Sequence, residues 1–153
     1  MQKMIATFFT AAMFLTLGFT AAAAQGRYRG RAYAKADVNR IIQRVENSSD
    51  ALRKAVDANL DRSRLDGTRR EDDINEQVKQ LENALDELRR EFDRRDTWRE
   101  TRREVEQVMR QSDEVNAIFR RLRFHAAVEA QWRNVRADLN RLAGIYNLPQ
   151  LRA

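Results

Sequence analysis

The sequence predicts an all-α protein: an antiparallel up-and-down four-helix bundle that follows a cleaved signal peptide. Three observations carry this expectation. Apolar residues after Lys35 recur at alternating intervals of three and four. Only Gly67, Gly144 and Pro149 punctuate residues 36–153. The chain also repeats itself, ENSSDALRKAVD at 46–57 against ENALDELRREFD at 82–93, an offset of 36. A period near 3.5 puts one apolar seam on each helix, and a repeat of one helix plus its turn is a duplicated packing unit.

Residues 1–24 are set apart from the folding argument. They carry one early cation, Lys3, an apolar run from Met4 to Phe19, and the small residues Ala22-Ala23-Ala24. That order is the signature of a signal peptide, with Gln25 as the first mature residue; retention as an N-terminal anchor is the alternative. The apolar run falls short of the roughly 20 residues of a membrane helix, so no stable span is expected after cleavage. Residues 25–153 are then one domain by length. With no cysteine in the chain, an oxidising compartment offers no disulfide, and stability rests on packing alone.

The formal net charge is +6, but its distribution argues against a nucleic-acid surface. Lys3, Arg27, Arg29, Arg31 and Lys35 all precede the first acid, Asp37, and the rest of the chain is close to neutral. A nucleic-acid-binding fold concentrates cation on its folded face. Here the excess sits in a basic arm, residues 25–36, expected to be unstructured. Its functional reading is a tether, through Arg27, Arg29, Arg31 and Lys35, for anionic envelope material or another protein.

The four helices are expected at about 37–65, 69–94, 98–121 and 125–146, all within one bundle over 37–153. The first seam runs Val38, Ile42, Val45, Ser49, Leu52, Val56 and Leu60. The second runs Ile74, Val78, Leu81, Leu85, Leu88 and Phe92. The third takes Trp98, Thr101, Val105, Val108, Ser112, Val115, Phe119 and Leu122, and the fourth Phe124, Val128, Trp132, Val135, Leu139, Leu142 and Tyr146. Thr68-x-x-Glu71 and Thr97-x-x-Glu100 fit the capping box, in which the threonine and glutamate satisfy each other's backbone N–H. Gly67 suits a left-handed position closing helix one. Asn147-Leu148-Pro149 ends helix four, because proline disfavours helix before it.

Helices three and four have no glycine or proline between them. The break near 121–125 is expected from register: continuing the third heptad would put Glu129, Arg133 and Arg136 on the seam. The alternative, one helix of about 50 residues, would leave a seam exposed and imply a homodimer. Within the repeat, Asp50–Lys54, Asp86–Arg90, Arg53–Asp57 and Arg89–Asp93 are i,i+4 pairs, each worth a few tenths of a kcal/mol.

Candidate chemistry is sparse. The one histidine, His125, could pair with Met109 around a haem, as haem-binding bundles do, but a lone histidine in a turn is the simpler reading. The stretch DRSRLDGTRREDD at 61–73 fails as a calcium loop, since it puts Leu65 where an oxygen ligand belongs. No phosphate loop or nucleophile motif is present, and the expectation is no enzyme, no cofactor and no metal site. Ser49 and Ser112 on the seam read as serines bonded back to their own helices.

The stretch WRNVRADLNRLAGIYNLP at 132–149 resembles the C-terminal helix of bacterial exported all-helical proteins of no assigned activity. That resemblance implies export and a helical fold. Exported helical chaperones of the Spy type are similar in class, but their repeated L-T-x-x-Q is absent here. The expected role is a non-enzymatic binding or structural component of the bacterial envelope, periplasmic or secreted. A periplasmic chaperone-like or stress protein and a haem- or metal-binding bundle are the alternatives.

Overall fold

A computed structural model describes residues 27–28 and 31–152, the side chains from Tyr33 onward. The expectation of a signal peptide at 1–24 lies outside the described residues. The architecture is all-α. Helices α1 (Lys35–Leu60), α2 (Arg69–Arg94), α3 (Arg102–Arg121) and α4 (Ala126–Ile145) are arranged so that α1 packs most closely on α4 and α2 on α3. The contacts α1–α2 and α3–α4 close the ring, giving an up-and-down bundle. A two-residue pair, β1 (Arg27–Tyr28) and β2 (Arg31–Ala32), runs antiparallel ahead of α1. To that extent the arm, expected as unstructured, is paired, and Lys35 already belongs to α1.

The seams are the core. Val38, Ile42, Leu52, Leu81, Leu88, Val105, Val135 and Leu139 are completely buried, and so are the two seam serines, Ser49 and Ser112. At the α3–α4 end the seams open: Phe119, Leu122 and Phe124 are only half-buried.

The boundaries show what local chemistry does to the heptad. Helix one was expected to reach residue 65 but ends at Leu60. Beyond it the side chains of Ser63 and Arg62 bond to backbone, Ser63 Oγ accepting from Leu65 N at 3.0 Å and Arg62 Nε donating to Ala58 O at 2.7 Å. Polar side chains in this stretch offer the backbone an alternative to helix. Gly67 is left-handed at φ 68°, but it belongs to the approach to α2 rather than to the end of α1. Thr68 Oγ1 accepts from Glu71 N at 3.4 Å, while the Glu71 carboxylate takes the N–H of Gly67 at 2.6 Å rather than that of Thr68. The box is displaced by one residue.

At the second box Thr97 N–H donates to Glu100 Oε1 at 3.1 Å. The first turn, Trp98–Thr101, is a 3₁₀ helix rather than α. Buried Thr101 donates to Trp98 O, three residues back, at 2.8 Å. Helices three and four are separate, with the reversal at 122–125, so the exposed-seam argument for a dimer falls. At the C-terminus Asn147 is left-handed at φ 53° and Leu148 N donates to Ala143 O at 2.9 Å, the closing bond of a Schellman turn.

The repeat has a three-dimensional meaning. Arg53 and Arg89 are equivalent across the 36-residue offset, as are Glu46 and Glu82. Arg53 reaches across to Glu82 at 2.8 Å and Arg89 reaches across to Glu46 at 2.7 Å. Residue contacts of the form i-to-j and j-to-i define a two-fold arrangement, here internal to one chain. The i,i+4 pairs Arg53–Asp57 and Arg89–Asp93 form at 3.4 and 3.7 Å. Arg90 pairs instead with Glu87, three residues back, and Lys54 has no ion-pair partner among the described residues.

Candidate functional site

The basic arm meets the bundle at the pole that joins the start of α1 to the α2–α3 connection. Tyr33 O accepts the indole N–H of Trp98 at 3.1 Å. The Lys35 ammonium donates to Arg95 O and lies 5.2 Å over the Phe92 ring. Of the four cations expected to bind an anionic partner, Lys35 is thus committed to the bundle. The side chains of Arg27 and Arg31, and all of Arg29, lie outside the described residues.

Beneath the arm's base is a buried aromatic latch. Trp98 and Tyr146 meet edge to face with centroids 5.1 Å apart. The Tyr146 hydroxyl is 2.9 Å from both Thr101 Oγ1 and Trp98 O. Burial pushes the Tyr146 phenol up from 10.0 to about 12, partly offset by the Thr101 hydrogen bond. The latch ties the first turn of the α3 segment to the end of α4. Glu100 beside it is held below the usual carboxylate range by its two bonds from Thr97.

The C-terminal motif is explained by the chain's own tail. Residues 148–152 fold back along α3 and α4. Asn140 clamps one residue of the tail from both sides, donating Nδ2 to Leu151 O at 3.1 Å and accepting Leu151 N at 2.7 Å through Oδ1. Asn116 donates to Arg152 O at 3.0 Å while its own oxygen accepts the Trp132 indole N–H at 3.2 Å. Leu151 is buried. Sequence reasoning assigned Trp132 and Tyr146 to the seam alone and missed Asn116 and Asn140. The available signal was two asparagines inside helices, where their propensity is poor and a tertiary partner is the usual reason.

The other candidates are placed as follows. His125 caps α4, its Nδ1 accepting Ala127 N at 3.3 Å. Met109 lies in the core 12 residues before the end of α3, about 18 Å along the axis from that end at 1.5 Å per residue. His125 and Met109 therefore cannot share one iron. Among the described residues no group of three or more His, Asp or Glu is placed to hold a metal ion. Ser112 donates back to Val108 O at 2.7 Å, as expected, whereas Ser49 Oγ is buried without a partner.

Carboxylates on the helix faces sit beside arginine. Glu91 receives Arg94 at 3.1 Å and Arg95 at 2.9 Å. Burial holds Glu82 above the usual carboxylate range despite its bond from Arg53. A shallow trough follows the α2–α3 seam over a floor at Ala84, lined by Gln80, Asn83, Gln107 and Gln111. No described helix is long and apolar enough to cross a membrane. No family model, curated protein or solved structure matches this chain.

Proposed function

We propose that this is an exported protein of the bacterial envelope whose bundle is a binding or structural scaffold rather than an enzyme, held to anionic envelope material by its N-terminal arm. The observation that carries this reading is the arm itself: Arg27, Arg29 and Arg31 precede any acid. Its base is fixed by the bond from Trp98 to Tyr33 O. An unbalanced cationic segment held at one pole of a rigid body is suited to holding that body against an anionic surface. The paired carboxylates of α1 and α2 support a scaffold role, since arginine-screened groups are poor proton-transfer agents.

The test removes the arm's charge while sparing its base. Arg27, Arg29 and Arg31 are replaced by Gln, leaving Tyr33 and Lys35 in place. Co-sedimentation with envelope fractions is expected to be lost at unchanged helicity, and retention at the wild-type level would end the tether reading. Export is tested separately, by N-terminal sequencing of the cellular product. A product beginning at Gln25 in the exported fraction is expected, and an intact Met1 in the cytoplasm would overturn it.

A further inference from the structure

The pole opposite the arm has a different surface. Arg120, Arg121 and Arg123 are exposed around the α3–α4 reversal, and none of them forms an ion pair or a hydrogen bond among the described residues. No acid occurs between Glu114 and Glu129, and Glu129 is already engaged, its Oε1 accepting Phe124 N at 3.3 Å. Interleaved with these cations, Phe119, Leu122 and Phe124 remain half-exposed. Phe119 stacks on Trp132 with centroids 5.2 Å apart, and Phe124 lies 4.6 Å from Phe119. The aromatic tip is therefore braced from the core.

Two simpler explanations account for part of this. Cations in the last turn of a helix offset its dipole, which covers Arg120 and Arg121. That does not cover Arg123, which lies beyond the helix, or the half-exposed Phe124. Charge from neighbouring elements does not neutralise the corner. The α1–α2 turn together with the first turn of α2, residues 61–73, holds four arginines against five acids, a net of −1 against the three arginines of the corner. Beside the corner a recess of about 340 Å³ is lined by Ile118, Leu122, Arg70 and Arg121 together with the acids Asp73 and Glu114.

We propose that the α3–α4 corner docks on an anionic phospholipid surface, with Arg120, Arg121 and Arg123 at the headgroups and Phe124 and Leu122 entering the interface. A soluble polyanion would satisfy the arginines and leave the apolar tip wet. An apolar protein groove would cover the tip and leave three arginines uncompensated. An anionic bilayer interface supplies both chemistries within a few ångströms. The proposal goes beyond the arm and does not depend on export.

The cysteine-free chain allows a site-specific test on the full-length protein. An environment-sensitive fluorophore is placed at Ala126→Cys, next to the corner, and in a second protein at Asp96→Cys, on the arm's pole. Both proteins also carry Arg27, Arg29 and Arg31 replaced by Gln, so that the arm adds no attraction at its own pole. Each is titrated with phosphatidylcholine vesicles with and without phosphatidylglycerol. The apolar segment at 4–19 is common to every variant, and the label reads only its own surroundings. A blue shift is expected at Ala126→Cys with anionic vesicles alone, and none at Asp96→Cys. Replacing Arg120, Arg121 and Arg123 by Gln should weaken that response about a hundredfold at low salt. Phe124→Ser, which keeps the charge, should weaken it about tenfold. The proposal is overturned by an equal shift with neutral vesicles, by a shift at Asp96→Cys instead, or by a triple variant that binds as before. Binding of dextran sulfate through these arginines without any vesicle-induced shift would also overturn it, identifying a polyanion site.

Discussion

The internal two-fold of α1 and α2 makes a quantitative prediction, because its two charge pairs are equivalent in sequence and unequal in structure. Arg89 grips Glu46 through two bonds, Nε to Oε1 at 2.9 Å and Nη2 to Oε2 at 2.7 Å, and donates a third to Asn39 at 2.5 Å. Its side chain is 22% exposed and Glu46 24%. Arg53 holds Glu82 through one bond of 2.8 Å and is 42% exposed. Asn75, the equivalent of Asn39, has its oxygen buried without a partner. Bidentate, part-buried charge-assisted bonds contribute about 1.5–3 kcal/mol, and exposed pairs about 0.2–1 kcal/mol. Arg89→Ala is therefore expected to destabilise by about 2–3 kcal/mol and the more exposed Arg53→Ala by clearly less. The assay is a double-mutant cycle with Glu46→Ala and Glu82→Ala, read by urea unfolding. The Arg89–Glu46 coupling should exceed the Arg53–Glu82 coupling by about 1 kcal/mol and fall less with added salt. Equal couplings, or an Arg89–Glu46 coupling near zero, would refute the reasoning.

Three further outcomes are expected. Asn140→Ala removes both bonds to Leu151 and should cost about 2 kcal/mol, with the tail becoming susceptible to carboxypeptidase; an unchanged melt and a protected tail would contradict the clamp. Ser49→Ala should be neutral or stabilising by about 1 kcal/mol, because its buried hydroxyl has no partner; thermal unfolding decides the sign. Tyr146 gives a pH dependence. Its folded value is raised from 10.0 to about 12, so the unfolded chain loses the proton first. The stabilisation is complete below pH 10 and is lost as pH rises towards 12. Against Tyr146→Phe, the wild type should lose about 2–3 kcal/mol across that window in chemical denaturation, and parallel curves would exclude this role.

Much of the fold was legible in the residue order because a bundle is specified by short-range periodicity. Seam spacing identified which side chains would be buried, including two serines that hydropathy alone would have placed outside. The register slip after Leu122 located a reversal that has no glycine or proline to mark it. Boundaries were less legible where side chains compete with the backbone: Arg62 and Ser63 end α1 at Leu60, and Thr101 tightens the first turn after Thr97. The basic arm was legible as charge, but not the fact that Lys35 would be spent on Arg95 O. The tail clamp was legible only as two asparagines, Asn116 and Asn140, placed inside helices, and not as a contact. Asn140 and Leu151 are far enough apart in sequence, and joined through a left-handed turn at Asn147, that no local pattern links them.

Residue spacing alone dictates that four amphipathic rods form and which stripe of each turns inward, because periodicity acts within a few residues. Tertiary structure alone decided which rods became neighbours and which polar groups met. It set Arg89 on Glu46, the tail in the grip of Asn116 and Asn140, and three arginines around a half-open aromatic tip. Side-chain hydrogen bonds and exposed patches depend on distances between segments remote in sequence, and those distances exist only once the core has closed.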